Sequence, residues 1–297
     1  MVLLIGVAHS QPRTWIDTIA SPLDANHLQL EMNIPAGEFF FRPSPTCGQS
    51  YCRTASANAA SRPRILHRQV AQGLHRLHVS FQEPVAAPAP PAEVAASAAN
   101  LRLADQLTNI DTYTRPSGNR AEYIADPNLS TDLALDLGVG AARLDFSGIS
   151  LNRVRINSAF SDVVVDYRST NQVPMAQFDV HAAKGDIVLK HLEYATADLI
   201  TIRNDMGQTT LVLGNGKAMH ATVYLQSGVG KSVLIIDDRQ PVRLTLKTGM
   251  FAQVNLPTTF EKVEDNVYVN AAYKQRQQGT QIICTVDFGS VQVLENQ

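Results

Sequence analysis

Acidic residues at matching positions are the first candidates for chemistry in this chain. Asp162 and Asp186 each stand just before the second alternating run of neighbouring repeats, and Asp237-Asp238 ends another repeat. Carboxylates at a defined separation can hydrolyse a glycosidic bond, and groups of them bind calcium. One aspartate per repeat is explained more simply by side-chain hydrogen bonds to the backbone of a turn. The pattern therefore favours turn geometry over a catalytic centre.

Other reactive residue types form no recognisable site in the sequence. His67, His75 and His78 lie close together, but their spacing keeps the three imidazoles off one strand face, whereas a metal site needs three or four convergent ligands. The segment SGVGKS from Ser227 lacks the spacing of a phosphate-binding loop. No Ser-His-Asp or Cys-His set can be nominated. The sequence predicts no catalytic residue, no cofactor and no metal, and hence a protein that is not an enzyme.

The cysteines allow one disulfide. Cys47 and Cys52 lie in the turn-like segment SPTCGQSYCR, where a small disulfide-closed loop can form if the protein is exported. Cys284 lies in an alternating apolar run, which is typical of a buried small apolar residue.

The first ten residues resemble a weak or truncated signal peptide. MVLLIGVAHS combines a short apolar segment with small residues at Ala8 and Ser10, but it lacks a basic start. Cleavage near Ser10 would place the protein outside the cytoplasm, in the periplasm or at the cell surface. The alternative is that these residues form a buried first strand.

Composition narrows the function classes. The chain has 297 residues, 44% of them hydrophobic and 18% charged, with a net charge of -2. This is enough for a core that needs no metal or disulfide. Only 6% of the residues are aromatic and no basic block occurs, so a nucleic-acid partner is not expected. No apolar run approaches the length of a transmembrane helix.

A repeated phrase dominates the second half of the chain. Each copy is an alternating apolar run, a short Gly, Ala, Ser or Asn segment, and a second alternating run. The copies are LALDLGVGAARLDF from Leu133, VRINSAFSDVVVDY from Val154, FDVHAAKGDIVLKH from Phe178, ITIRNDMGQTTLVL from Ile200, TVYLQSGVGKSVLII from Thr222, RLTLKTGMFAQVNL from Arg243 and IICTVDFGSVQVLE from Ile282. The first six start about 22 residues apart, a period typical of solenoids.

The phrase predicts an all-β fold: a β-solenoid, a single β-helix-like stack of about 22-residue strand-turn-strand repeats, with a small N-terminal β region. Hairpins of a β-sandwich remain the alternative. Alternation directs one side-chain set inward: Leu135, Leu144, Val163, Val165, Ile187, Leu189, Leu211, Leu213, Leu234 and Leu246. Glycines are expected at the turns between the paired strands: Gly140, Gly185, Gly207, Gly230 and Gly249.

The domain organisation follows from these patterns. Residues 1–10 are the possible signal peptide remnant, 20–83 the N-terminal β region, 84–127 a Pro/Ala-rich linker and connection, and 128–297 the repeat domain.

A break in the period marks a candidate interaction surface. The sixth and seventh copies start at residues 243 and 282, so PTTFEKVEDNVYVNAAYKQRQQGT from Pro257 is inserted between them. Insertions in repeat arrays project from the scaffold, where contacts tend to form. The candidate contact residues are Phe260, Tyr268, Tyr273, Lys274 and Arg276. The alternative is that the tyrosines cap the exposed end of the solenoid.

Several phrases also resemble a known family. The segments LQLEMNIPAGEFFFRP from Leu28, YIADPNLSTDLALDLGVGAARLDFSGISLNRVRIN from Tyr123, FEKVEDNVYVNAAYKQ from Phe260 and IICTVDFGSVQV from Ile282 resemble, in that order, the toast-rack family of bacterial envelope proteins, related to LiaF-like and adhesin-like β-repeat domains. The resemblance implies an extracytoplasmic, all-β, non-enzymatic protein of envelope stress signalling or surface interaction, and it supplies no catalytic residues.

Two functions fit these observations. The first is a structural or interaction module of the bacterial cell envelope, whose partner is an envelope protein or a polysaccharide, because solenoid faces present extended binding surfaces. The alternative is a carbohydrate-active enzyme on a parallel β-helix, which would need carboxylates that converge on one groove.

Overall fold

The computed structural model describes residues 13–20, 26–45, 48–56, 63–81, 120–214 and 218–296. The signal-like residues 1–10, Cys47 and most of the segment 84–127 lie outside the described residues. Strands account for nearly all of the regular structure in the described ranges, so the all-β prediction is confirmed.

From residue 120 onward, the elements follow one another along the chain with short connections. In chain order the strands are β1 Arg13–Ala20, β2 His27–Pro43, β3 Gln49–Ser56, β4 Pro63–Ala71, β5 Leu74–Phe81, β6 Arg120–Ala125, β7 Ser130–Asp145, β8 Leu151–Asp166, β9 Gln177–Lys184, β10 Ile187–Lys190, β11 Leu199–Leu213, β12 Thr222–Asp237, β13 Val242–Thr248, β14 Gln253–Asn255, β15 Glu261–Glu264, β16 Val267–Val269 and β17 Thr280–Asn296. A 3-10 turn spans Leu192–Tyr194, and the helix α1 spans Ala271–Arg276.

The repeated phrases pair in parallel and lie one above another in a stack. From one end, the parallel stack consists of β2, β7, β8, the pair β9 and β10, β11, β12, β17, and finally β13 and β14. Equivalent residues stand in register, as Leu211, Leu234 and Val293 do. This register keeps every inward side chain above another inward side chain.

The spatial order of the stack differs from its sequence order. The seventh phrase, β17, lies between β12 and β13, so the fifth and sixth phrases are not neighbours. The insertion after Pro257 supplies the chain length that returns the backbone to this position.

Each phrase bends at its centre. The prediction of two strands joined by a tight turn is wrong for five copies, because β7, β8, β11, β12 and β17 each run through the phrase without interruption. In β7 the buried positions are Leu133, Leu135 and Leu137 before the bend and Ala142 and Leu144 after it. A straight strand would turn the second set outward, since its side chains alternate strictly. The bend resets the alternation, so both halves face one core.

A column of glycines makes the bend possible. Gly37, Gly140, Gly185, Gly207, Gly230 and Gly289 stand above one another with φ between 135° and 149°. A Cβ on Gly230 would lie 1.9 Å from the carbonyl oxygen of Gly207. Gly249, which was predicted to play the same role, has no positive φ; a Cβ there would lie 2.3 Å from the carbonyl oxygen of Asp287.

Ser161 occupies the glycine column in β8. Here the Ser158 hydroxyl donates to the Ser161 carbonyl oxygen and accepts from the Ser161 N–H, both at 3.0 Å. Ser161 itself is not among the described residues with positive φ. The buried hydroxyl therefore stabilises a different bend conformation in this coil.

The core fills the space between the two halves of the bent strands. All ten residues that were predicted to point inward are at most 3% exposed, which confirms that prediction. Aromatic rings close one side of the core: the Phe41 and Phe146 centroids are 5.3 Å apart, and those of Phe146 and Tyr167 are 5.6 Å apart.

The N-terminal strands continue the parallel stack. The first half of β2 pairs in parallel with β5 and the second half with β6, so these two strands together extend the stack by one further level. β4 then pairs antiparallel with β5, β3 with β6, and β1 with β3. Among the described residues, no helix is long and apolar enough to cross a membrane.

Candidate functional site

The insertion after Pro257 folds onto the far end of the stack. β16 pairs antiparallel with β13, and β15 pairs with β16. The Asn270 side-chain oxygen accepts from the Tyr273 N–H that opens α1 and from the Val242 N–H of the stack, both at 3.0 Å. The insertion thus covers the outer edge of β13. We call β15, β16 and α1 the cap.

The five predicted contact residues separate into two groups in the cap. Phe260 is 7% exposed and belongs to the core, and Tyr268 is partly buried against it. Tyr273 and Lys274 line a groove of about 270 Å³ together with Arg243 and Glu264, whose side chains are 3.2 Å apart. Arg276 is exposed on α1. The first group anchors the cap, and the second group faces solvent.

The outer corner of the bend exposes a row of large side chains. The residue before each bend position points outward, and because the strands are in register these residues form the corner row: Val139, Phe160, Lys184, Met206, Val229 and Phe288. The exposed fractions of Phe160, Met206, Val229 and Phe288 lie between 47% and 57%. Phe251, 73% exposed, stacks on Phe288 with a centroid distance of 6.3 Å. Contiguous exposed apolar patches, such as the one formed by Met206, Val229, Phe288 and Phe251, are uncommon on soluble monomers.

A second groove lies beside the corner row, at the end of the stack that is far from the cap. We call it the corner groove. It has a volume of about 410 Å³ and crosses β2, β7 and β8. Its lining residues are Asn33, Pro35, Asp136, Leu137, Gly138, Asn157, Ser158 and Ala159. The sequence did not predict this groove, because its residues lie on three strands that become neighbours only through the parallel pairing of β2, β7 and β8.

The repeated aspartates bond to the backbone of the neighbouring coil. Asp162 Oδ1 accepts from the Asp186 N–H at 2.9 Å, and Asp186 Oδ1 accepts from the Gln208 N–H at 2.8 Å. The expectation that these carboxylates bond to backbone is confirmed, although the bonds run between coils rather than within one turn. Asp237 accepts from the Arg239 guanidinium at 2.9 Å, which lowers the pKa of the carboxyl.

The structure brings together three titratable residues that the sequence analysis did not single out as a group: Asp166, His191 and Glu193. His191 Nδ1 lies 3.0 Å from Asp166 Oδ1. Nearby, the Glu193 side chain is buried; its Oε1 accepts from the Gly214 N–H at 3.1 Å, and its Oε2 has no hydrogen-bond partner in the described part of the chain. Burial raises the pKa of Glu193. The signal that could have found Asp166 and His191 is their separation of one coil, combined with the parallel register.

The remaining reactive residues are spread out. Cys284 is fully buried, as its position in an apolar run predicted, and burial raises the pKa of its thiol to about 12. His67 and His75 stack in the β4–β5 hairpin, with Nε2 and Nδ1 3.2 Å apart, while His78 faces Glu31. Within the described ranges, no three His, Cys, Asp or Glu side chains are arranged to hold a metal ion. The predicted Cys47–Cys52 disulfide stays a prediction, because Cys47 lies outside those ranges.

Comparison with known proteins gives structural neighbours only. No family model matches this chain, and no curated protein matches it significantly. A solved structure of a "putative cell adhesion protein" from Clostridium sporogenes has a TM-score of 0.45 and 13% identity, over 96% of this chain and 100% of that one. A "putative adhesin" from Bacteroides fragilis has a TM-score of 0.39 and 10% identity, over 96% of this chain and 99% of that one. A "putative adhesin" from Parabacteroides distasonis has a TM-score of 0.32 and 10% identity, over 96% and 98%.

Proposed function

We propose that this protein is a β-solenoid of the bacterial cell envelope that acts by binding and catalyses no reaction. In this proposal it is exported, works in the periplasm or at the cell surface, and belongs with the toast-rack proteins that its phrases resemble. Its partner is an envelope protein or a polysaccharide.

The corner row is the observation that carries the proposal. Met206, Val229 and Phe288 expose apolar surface at one position of three successive coils, and Phe160 does so beyond the exposed Lys184. Adjacent strands are about 4.8 Å apart, so the row forms an apolar edge along the stack that Lys184 interrupts once. Covering such an edge with a partner removes apolar surface from water, which favours association. A surface of this kind needs no reactive group to function.

The cap provides a second contact surface in the proposal. Tyr273, Lys274 and Arg276 face solvent beside the cap groove, and Tyr and Arg are enriched at recognition surfaces. Phe260 and Tyr268 hold the cap on the stack and do not meet the partner directly.

A sedimentation assay tests the proposed binding. Labelled protein is mixed with an envelope fraction of the bacterium that encodes it, and the pelleted fraction is measured. We expect wild type to pellet, and a Phe160→Ser, Phe288→Ser variant to lose most of its binding at an unchanged melting temperature. A Tyr273→Ala, Lys274→Ala variant examines the cap in the same way.

Tyr224→Ser is the matched control, because Tyr224 is 45% exposed but lies on the flank of β12, away from the corner row. Equal losses in the control and in the corner variant would refute the assignment of binding to the corner. Failure of wild type to pellet would refute the proposed function. Release of sugar from envelope polysaccharide by wild type would support the enzymatic alternative instead.

A further inference from the structure

The corner groove is built from one position of three successive coils. Three of its lining residues, Pro35, Gly138 and Ala159, are small and occupy this position. A Cβ on Gly138 would lie 1.9 Å from the Pro35 carbonyl oxygen, so no larger residue can fill the groove at that coil. The volume of about 410 Å³ falls in the range of roughly 300–1,000 Å³ that is usual for small-molecule sites.

One wall of the corner groove is a row of hydrogen-bonding side chains. Asn33, Asp136 and Asn157 stand in register on β2, β7 and β8, and the row continues to His181 on β9. Asn157 Nδ2 donates to Asp136 Oδ1 at 2.7 Å, which orients both side chains. Asp136 and Asn33 are exposed on this wall. The wall thus offers acceptors and amide donors about every 4.8 Å along the stack.

An apolar part of the corner row lies next to the corner groove. Phe160 directly follows Ala159, which lines the groove, and it is 57% exposed; Val139 is its neighbour in the corner row on β7. An exposed aromatic ring offers a large apolar face to a ligand. A ligand that reaches from the polar wall to Phe160 would present hydroxyl groups to the wall and apolar C–H groups to the ring, which is the chemistry of a sugar ring.

The charge of the groove disfavours anionic ligands, and its paired backbone excludes a peptide that binds as an added strand. The wall has one carboxylate and two neutral amides, so an anionic ligand would meet Asp136 unfavourably. A peptide that binds as an added strand needs unpaired backbone groups at a sheet edge. The backbone of β7 is paired on both sides, with β2 and with β8, so the groove offers no such edge.

We propose that the corner groove binds a neutral oligosaccharide chain that lies along the stack axis, hydrogen-bonded to Asn33, Asp136 and Asn157 and packed on Phe160. This inference rests on the proposed function, since it names the ligand class of the same corner of the bend.

A glycan array of neutral oligosaccharides tests the inference, with hexamers of glucose, mannose and N-acetylglucosamine in several linkages as probes. The best probe is then titrated by calorimetry into wild type and single variants. Asp136→Ala, Asn157→Ala and Phe160→Ala are each expected to weaken binding about tenfold or more, the effect of losing one ligand hydrogen bond or contact. Asp136→Asn, which keeps an acceptor, is expected to retain more affinity than Asp136→Ala.

Tyr224→Ala is the matched control, because Tyr224 is an exposed aromatic residue on β12 that lies outside both the groove and the corner row. The absence of any binding probe, or binding that the three groove variants leave unchanged, would overturn the inference. A peptide array is probed in parallel, and peptide binding that the groove variants abolish would replace the saccharide by a protein partner and would overturn the inference as well.

The envelope sedimentation assay separates this inference from the function on which it rests. Envelope binding that depends on Phe160 and Phe288 without glycan binding would refute only the saccharide. Lack of envelope binding by wild type would refute the proposed function whatever the array shows.

Discussion

Replacing Gly230 by alanine tests the reason for the bend. Gly230 has φ of 147°, and a Cβ at this position would lie 1.9 Å from the Gly207 carbonyl oxygen. Contacts below 3.0 Å are essentially never seen for real Cβ atoms. The variant must therefore adopt a strained backbone and also separate β11 from β12 locally.

The expected loss of stability combines these two effects. A non-glycine residue at such a φ costs about 1–3 kcal/mol. The local separation of the strands weakens one or two backbone hydrogen bonds, each contributing about 0.5–1.5 kcal/mol. The sum is about 1.5–6 kcal/mol. Unfolding entropy of about 2.1 cal/mol/K per residue makes 1 kcal/mol worth about 1.6 °C in a chain of this length, so the melting temperature should fall by roughly 2–10 °C.

Thermal unfolding followed by circular dichroism measures the shift, with Gly148→Ala as the control. Gly148 also has a positive φ, of 66°, but a Cβ there would meet only the Ser169 hydroxyl, at 3.2 Å. The control therefore places an alanine at a positive φ, where its backbone is strained, without a contact between its Cβ and the backbone of a neighbouring coil. Equal shifts in melting temperature for the two variants would show that the approach of neighbouring coils does not require glycine, and the account of the bend would be wrong.

Three further predictions concern buried groups and the cysteines. Burial holds the pKa of Glu193 above its unfolded value, so this residue contributes most to stability at low pH, and that contribution falls as the pH rises from the unfolded to the folded pKa. Glu193→Gln should therefore raise the melting temperature at pH 7 but not at pH 4. An identical change in melting temperature at both pH values would contradict this. The side chain of the buried Asn171 accepts a hydrogen bond from the Leu151 N–H and donates one to the Leu151 carbonyl oxygen, both at 2.8 Å. Asn171→Ala should lower the free energy of unfolding, measured by urea denaturation, by about 3 kcal/mol. A loss below about 1 kcal/mol would show that these bonds contribute little to stability. Intact-mass analysis of protein from the native bacterium should show a chain cut near Ser10 with Cys47 and Cys52 joined, whereas an uncut chain with three free thiols would refute export.

The alternation within each phrase was sufficient to predict the all-β class and the inward-facing residues of the core. Apolar residues at every second position fix which side chains turn inward, whatever the strand pairs with, and all ten predicted inward residues are buried. Asp162 and Asp186 were likewise interpreted correctly as backbone acceptors, because a single carboxylate per repeat has no partner for catalysis. These features depend on local chemistry and on the period of the repeat.

The bend, the order of the strands and the grooves were decided by tertiary structure. A glycine between two alternating runs is compatible with a tight turn and with a bent strand, and only the close approach of Gly207 to Gly230 selects the bend. The position of β17 between β12 and β13 depends on pairing over a long separation in sequence, which no local pattern specifies. The corner groove exists because parallel register places Asn33, Asp136 and Asn157 side by side, although about a hundred residues separate the first two along the chain. Local sequence determines which face of each strand is buried, whereas the alignment of exposed side chains depends on how the coils stack.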